Sequence, residues 1–158
     1  MQDKIMIAID KAKDIFSSVG LNGWTVWTNN SYSVIAKVQF DRKRLVYSKR
    51  YITIATEEEF LKTTMHEAAH ALLPYGVGHG DEFVKLCNEL NPDNPYDFYC
   101  ISAPIHKYIL TCPWCGDIGG TNFNKPIFCV PCSMSGRGVY ELVRTNNDLE
   151  VREWASTQ

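Results

Sequence analysis

Residues 56–74 read TEEEFLKTTMHEAAHALLP, and this stretch decides how the rest of the chain is interpreted. Thr56 followed three residues later by Glu59 is the capping-box pattern, in which each side chain bonds the backbone N–H of the other residue at the start of a helix. Apolar residues recur at helical spacing after the box, and Pro74 cannot continue a helix. The stretch therefore predicts one well-bounded helix that runs from the Thr56 cap to about Leu73.

This helix carries two histidines at the spacing of a zinc site. His66 and His70 are four residues apart, so their side chains lie on the same helix face, about one turn from each other. His79 follows a turn that contains proline and glycine and can bring the chain back towards the helix, which makes His79 the predicted third ligand. Glu89 is the alternative third ligand, because a carboxylate also completes zinc sites of this kind.

The same pattern predicts a reaction. Three protein ligands leave the fourth tetrahedral position of a zinc ion to water, which is typical of a catalytic site. Glu67 lies between two ligands, where it can take a proton from that water and later give it to a leaving amine. Tyr75 is the nearest candidate donor to an oxyanion. The alternative is that the histidines and Glu67 are ordinary polar residues of a helix face.

Four of the six cysteines form a second predicted metal site. They occur as two Cys-x-x-Cys pairs: Cys112 and Cys115, then Cys129 and Cys132. Four thiolates close a tetrahedral shell, so this zinc ion would hold a small ribbon together and leave no position for a substrate. Redox chemistry of the two pairs is the alternative. The remaining Cys87 and Cys100 are expected to be buried thiols.

The rest of the chain has the pattern of an α+β protein. Residues 2–19 predict an amphipathic helix that ends at Gly20, and residues 80–90 predict a further helix. The predicted buried stripe of the first helix is apolar: Ile5, Ile9, Ala12, Phe16 and Val19. Residues 23–55 are rich in β-branched and aromatic side chains, and they predict an antiparallel sheet of about three short strands.

The overall composition excludes several classes of protein. The formal net charge is −2 and hydrophobic residues make up 45% of the 158 residues. No global electric field therefore directs the protein to nucleic acid or to a membrane surface. No apolar run approaches the roughly 20 residues of a membrane helix, and the charged N-terminal segment is not that of a secretory signal. We therefore expect a cytoplasmic protein with reduced cysteines and no membrane partner.

One segment departs from this balance of charge. Between residues 37 and 50 the chain has six cations but only one acid, Asp41. The cations are Lys37, Arg42, Lys43, Arg44, Lys49 and Arg50. On a hairpin they would form a phosphate-binding patch, which makes DNA a candidate partner. The alternative is a solvated strand edge on which the charges prevent aggregation.

These motifs, in this order, resemble the SprT-like (Spartan-related) family of zinc metallopeptidases. The matching stretches are GWTVWTNN at residues 23–30, TTMHEAAHAL at 63–72 and HGDEF at 79–83, followed by the ribbon from Tyr108 to Cys132. The resemblance implies a zincin-like minimal metallopeptidase core over residues 1–106. That core would consist of an N-terminal helix, a short antiparallel sheet, the HExxH helix and a third-ligand helix. A zinc ribbon with a polar C-terminal tail would then occupy residues 107–158.

The resemblance also implies roles and partners. His66, His70 and His79 would be ligands of a catalytic zinc ion, and Glu67 would be the catalytic base. The substrates would be proteins or peptides, among them DNA-associated or DNA-crosslinked proteins. The alternative function is a non-proteolytic adaptor, or a module associated with nucleic acid, that retains the peptidase fold.

Overall fold

The computed structural model describes residues 2–93, 105–116, 118–146 and 154. The mixture of helices and small sheets confirms the α+β class. No helix of the described part of the chain has the length and the apolar character needed to cross a membrane. Cys100 lies outside the described residues.

Contacts divide the chain into two units. The first comprises residues 1–103 together with 150–158, and the second comprises residues 104–149. That residues 1–106 and 107–158 are separate functional domains stays a prediction.

The first unit consists of helices around a three-stranded sheet. In chain order its elements are α1 (Gln2–Ser18), β1 (Thr25–Asn29), β2 (Ala36–Gln39), β3 (Arg44–Ser48), α2 (Lys49–Ile54), α3 (Glu57–Leu72) and α4 (Asp81–Leu90). A short 3-10 turn at Phe40–Arg42 joins β2 to β3. Helices α1, α3 and α4 begin and end within one residue of their predicted bounds, because local capping and breaking signals mark their ends.

The sheet is mixed, so the prediction of an antiparallel sheet was wrong. Its strand order is β1-β3-β2. β1 runs parallel to β3, with Val26 opposite Leu45, whereas β2 runs antiparallel to β3, with Ala36 opposite Tyr47. β3 occupies the centre because it is the most deeply buried strand, with Leu45, Val46 and Tyr47 all buried. The chain therefore passes from β1 to the far edge before it returns as the central strand.

Residues 49–54 form helix α2, although their β-branched and aromatic side chains predicted a strand. The Ser48 hydroxyl caps this helix by accepting the backbone N–H of Tyr51 at 3.5 Å. The buried Tyr51 hydroxyl lies 2.5 Å from Thr63 Oγ1 and donates to the Glu59 carbonyl at 2.9 Å. These contacts with α3 outweigh the intrinsic preference for a strand, which depends strongly on context.

Helix α1 buries Ala12 and Phe16 of the predicted stripe, but Lys4 and Ala8 take the places expected for Ile5 and Ile9. The buried residues are Lys4, Ala8, Ala12 and Phe16. Ile5 and Ile9 are only partly buried. Burial of a lysine is possible here because its ammonium group donates to the carbonyls of Thr53 at 3.0 Å and Ala55 at 2.9 Å. The helix ends as predicted before Gly20, which adopts a φ of +85°.

Helix α3 begins with the predicted capping box. Thr56 Oγ1 accepts the Glu59 N–H at 3.2 Å, and the Thr56 N–H donates to the Glu59 carboxylate at 2.7 Å. Further along the helix, the fully buried Ala69 packs against Phe83 and Cys87 of α4. The small alanine side chain allows α4 to approach closely. The face of α3 that carries the two histidines therefore lies on a firmly packed helix.

The second unit is a small ribbon. Its elements are β4 (Tyr108–Thr111), β5 (Ile118–Thr121), α5 (Val130–Met134) and β6 (Val143–Asn146). β4 lies between β5 and β6 and runs antiparallel to both. Before the second cysteine pair, a single bridge joins Phe128 to Glu141. Three buried cysteines form the core together with Tyr140 and Leu142.

Candidate metal centres

Three imidazoles converge in the first unit. His66 and His70 project from successive turns of α3, and His79 lies in the loop just before α4. The Nε2 atom of His79 is 3.1 Å from that of His70 and 3.2 Å from that of His66. Two nitrogen ligands of a tetrahedral zinc ion lie about 3.4 Å apart, given Zn–N bonds of about 2.0–2.1 Å. The donor set and its spacing therefore fit zinc.

The loop between the two helices explains how His79 returns to α3. The Val77 N–H donates to the Pro74 carbonyl at 3.2 Å, which closes a tight turn. Gly76 within this turn has a φ of +93°, a backbone conformation that residues with a Cβ atom rarely adopt. The turn reverses the chain directly after α3, so His79 reaches the histidine face of that helix.

Phe83 is a site residue whose role the sequence did not reveal. Its ring is fully buried and touches all three imidazoles. The ring centroids lie 4.9 Å from His66, 4.3 Å from His70 and 4.8 Å from His79. In the sequence, Phe83 belongs to the HGDEF stretch that carries the family resemblance and to the predicted helix at residues 80–90, but neither pattern gives it a contact with the imidazoles. In the fold the same side chain limits the orientations of the three rings.

The environment of the histidines favours their neutral forms. Burial, together with the neighbouring imidazoles of His70 and His79, lowers the pKa of His66 to about 4. Burial, together with His79, also lowers the pKa of His70 to about 4. Neutral imidazoles retain the lone pair that binds a metal ion.

Glu67 lines the same groove as the three histidines. It is 7% exposed, and burial raises its pKa to about 7, while a hydrogen bond from the Val38 backbone opposes that rise. Within the described residues Glu67 is not a member of the His66, His70 and His79 ligand group. A divalent cation bound to that group would favour the ionised carboxylate.

An open groove of about 460 Å³ runs past this site. One wall is β2, with Ala36, Lys37 and Val38, and the other side is formed by Glu67, the histidines and the loop around Tyr75. Tyr75 is 85% exposed, and its ring lies edge-on to Phe40 with 5.4 Å between the centroids. The candidate oxyanion donor therefore borders the groove, and the groove gives solvent and ligands access to the histidines.

The alternative third ligand does not join the site. Glu89 is exposed and lies 3.9 Å from Lys85, its neighbour on α4. In the described part of the chain, the cluster of possible ligands around α3 consists of the three histidines alone. His79 is therefore the residue that the fold brings to His66 and His70.

The four predicted cysteines also come together. The Sγ atoms of Cys112 and Cys132 are 3.8 Å apart, and those of Cys115 and Cys129 are 3.6 Å apart. Sulfur ligands of a tetrahedral zinc ion lie about 3.8 Å apart, given Zn–S bonds of about 2.3 Å. All four thiols are free. The arrangement fits a closed zinc site.

The electrostatics of this cluster favour a bound cation. The backbone N–H of Cys115 holds the pKa of Cys112 down at about 6, whereas burial raises the pKa of Cys132 to about 12. Four neighbouring thiolates repel one another, and a dication removes that repulsion. His106 is not part of the cluster. Its ring packs against Gly120, where a Cβ atom would come within 2.3 Å of the imidazole.

Comparison with models of known protein families and with curated protein sequences finds no match. The resemblance to the SprT-like family therefore stays a prediction that depends on the motifs and their order.

Proposed function

We propose that the protein is a zinc-dependent metallopeptidase with a zincin-like core related to the SprT-like family. The observation that supports this most directly is the position of Glu67. Glu67 lines the same open groove as the three histidines, and the spacing of their imidazole nitrogens fits a zinc ion. Three protein ligands leave one coordination position, which distinguishes this site from the closed cysteine site.

In the proposed reaction, the zinc ion and the side chains of the protein would have different roles. Zinc, when bound, would acidify a water molecule and polarise the carbonyl of the scissile bond. Glu67 would hold that water, take its proton and deliver it to the leaving amine. The Val38 N–H that bonds the carboxylate would keep it oriented towards the histidines. Tyr75, which borders the groove, would donate a hydrogen bond to the oxygen on which negative charge develops.

The free edge of the sheet supports an extended polypeptide as the substrate. The Ser48 N–H donates to the Ile35 carbonyl, so residues 35 and 48 form a hydrogen-bonded pair. Because such pairs alternate along an antiparallel ladder, the backbone groups of Ala36 and Val38 face away from β3. They border the groove, where a substrate strand would pair with the N–H and carbonyl of Ala36 and with the carbonyl of Val38, whose N–H bonds Glu67. Pairing of this kind requires an extended substrate backbone and depends little on the side chains of the substrate.

The identity of the substrate follows from the family resemblance. By that resemblance, the substrates are DNA-associated or DNA-crosslinked proteins. The cytoplasmic location is a prediction from the composition of the chain and stays a proposal. The reduced thiols of the cysteine cluster are consistent with a reducing compartment. The cysteine zinc ion would be structural.

The decisive experiment compares the parent protein with Glu67→Gln on an unfolded protein substrate, with and without single-stranded DNA. We expect the variant to keep its zinc content and to cleave at least about a hundredfold more slowly, because the proton acceptor is lost. Glu89→Gln is the matched control, since Glu89 is an exposed glutamate of the neighbouring helix, and this variant should cleave like the parent. If Glu67→Gln cleaves as fast as the parent, the mechanism is wrong. If neither protein cleaves but both bind substrate, the adaptor function is favoured instead.

A further inference from the structure

Aromatic rings form a continuous series from the core of the first unit to the groove beside the histidines. Phe16 is 1% exposed, and its ring centroid lies 5.8 Å from that of Trp24. The Trp24 ring meets Phe40 edge-on at 6.2 Å, and Phe40 in turn meets Tyr75 edge-on at 5.4 Å. Edge-to-face contacts at such distances are favourable for aromatic pairs. The Phe40 ring is therefore supported from behind by packed rings, and Tyr75 rests on it.

Tyr75 presents an apolar surface to the groove. It is 85% exposed although it packs against Phe40, so most of its ring is in contact with water. The partly buried Val77 lines the groove close to it. A large ring that is held in place and still hydrated favours an apolar partner, because contact removes both surfaces from water. We call the side chains of Phe40, Tyr75 and Val77 the apolar wall.

The apolar wall lies close to the reacting centre of the proposed peptidase. The Val38 N–H bonds the Glu67 carboxylate, and Phe40 follows Val38 by two residues. Among the described residues that line the groove, Lys37 and Glu67 are the two with a formal charge, and Lys37 precedes Val38 in β2. The cation and Phe40 therefore lie on opposite sides of Val38 along the chain. A substrate strand paired with β2 would pass the apolar wall within a few residues of its scissile bond.

We propose that the apolar wall is a specificity subsite, which selects substrates with a bulky apolar side chain, above all an aromatic one, at one fixed distance from the cleaved bond. The proposal rests on the proposed peptidase function and names the class of substrate that the enzyme prefers. In this role the Tyr75 ring binds the substrate, whereas its hydroxyl keeps the separate role of oxyanion donor. A charged side chain would lose hydration against these rings, and a small one would leave them in water.

The test uses unstructured peptides of glycine, serine and asparagine that contain a single phenylalanine, with alanine in its place for comparison. We expect kcat/KM to be about tenfold or more higher for the phenylalanine peptide, the usual extent of discrimination by an apolar pocket. Mass spectrometry of the products locates the cleaved bond. Moving the phenylalanine by two residues should move the cleaved bond by two residues, because residues two apart lie on the same face of a strand.

Variants separate the ring of Tyr75 from its hydroxyl. Tyr75→Ala should bring the ratio of kcat/KM for the two peptides to within about twofold of one, because the exposed ring is lost. Tyr75→Phe keeps the ring, so it should lower cleavage of both peptides and leave the ratio as in the parent. The matched control, Phe123→Ala, removes an exposed aromatic residue of the ribbon and should also keep the ratio. An unchanged ratio in Tyr75→Ala would overturn the proposal, as would equal cleavage of the two peptides by the parent.

A binding measurement distinguishes failure of this proposal from failure of the peptidase function. Glu67→Gln, which should bind peptides without cleaving them, is titrated with each peptide carrying the same terminal fluorophore. We expect the phenylalanine peptide to bind about tenfold more tightly than the alanine peptide, and Tyr75→Ala in the same background to remove the difference. If the parent cleaves neither peptide, the peptidase function fails, and the binding difference still decides whether the wall selects aromatic side chains. Equal affinities, or no binding of either peptide, would overturn the proposal.

Discussion

At the scale of single residues, the histidine site depends on how its rings are held. Phe83 contacts all three imidazoles and is itself fully buried between α3 and α4. Without its ring, the imidazoles would gain freedom to rotate away from a common centre. Groups that hold metal ligands in place contribute to metal affinity, and loss of a hydrogen-bond partner of a ligand typically costs about 10–100-fold.

We therefore expect Phe83→Ala to weaken zinc binding at the histidine site by about tenfold or more, by analogy with outer-shell substitutions. The cavity should also destabilise the first unit by about 3–5 kcal/mol. Competition with a chromophoric chelator measures the affinity. Phe83→Leu is the control, since it retains most of the volume and should lose less affinity. Unchanged affinity in Phe83→Ala would mean that the rings are held by other contacts.

At the scale of elements, the sequence predicted those features that are specified by residues close together in the chain. The capping box at Thr56, the break at Pro74 and the His66–His70 spacing all act within one helix, and the structure agrees with them. Prediction failed where contacts between residues far apart in the sequence determine the secondary structure or the strand order. The central place of β3 and the helical state of residues 49–54 depend on packing against α3, which no local pattern contains.

The same distinction applies to the candidate site. The three histidines could be selected from their spacing, because the intervening turn is short. Phe83 as a positioning residue and Val38 as the hydrogen-bond donor to Glu67 could not be predicted, because both contacts join separate elements. A backbone N–H that donates such a hydrogen bond cannot be identified from the residue type.

The capping box gives a prediction at this scale. Thr56→Ala removes the acceptor of the Glu59 N–H at the start of α3, and we expect a loss of about 1 kcal/mol in the free energy of unfolding. Thr56→Ser retains the hydroxyl and should remain within a few tenths of a kcal/mol of the parent. Urea unfolding followed by circular dichroism measures both. Equal losses in the two variants would show that the methyl group matters, and not the cap.

At the scale of the whole molecule, a residue near the C-terminus completes the first unit. The Trp154 indole donates to the Ala55 carbonyl at 2.9 Å, 99 residues away in sequence. Its ring packs 4.9 Å from the ring of Phe60 and lies 4.9 Å from the buried Lys4 ammonium group. One side chain therefore covers both a core aromatic residue and a buried cation.

We expect Trp154→Ala to reduce the free energy of unfolding of the first unit by about 2–4 kcal/mol, because it removes a large ring from packed surroundings. Trp154→Phe keeps the ring contact with Phe60 and loses the bond to Ala55, so it should cost about 1 kcal/mol. Hydrogen exchange of the α1 and α3 amides reports the change. Exchange as slow in Trp154→Ala as in the parent would contradict this role.

The central claim is that the histidine cluster binds its own zinc ion, apart from the cysteine site. Metal analysis of the purified protein tests this directly, with the double variants His66→Ala/His70→Ala and Cys112→Ser/Cys115→Ser alongside the parent. We expect two zinc ions per chain in the parent and one in the histidine variant, which keeps the cysteine site. A parent with one zinc ion, retained by the histidine variant and lost by the cysteine variant, would contradict the claim.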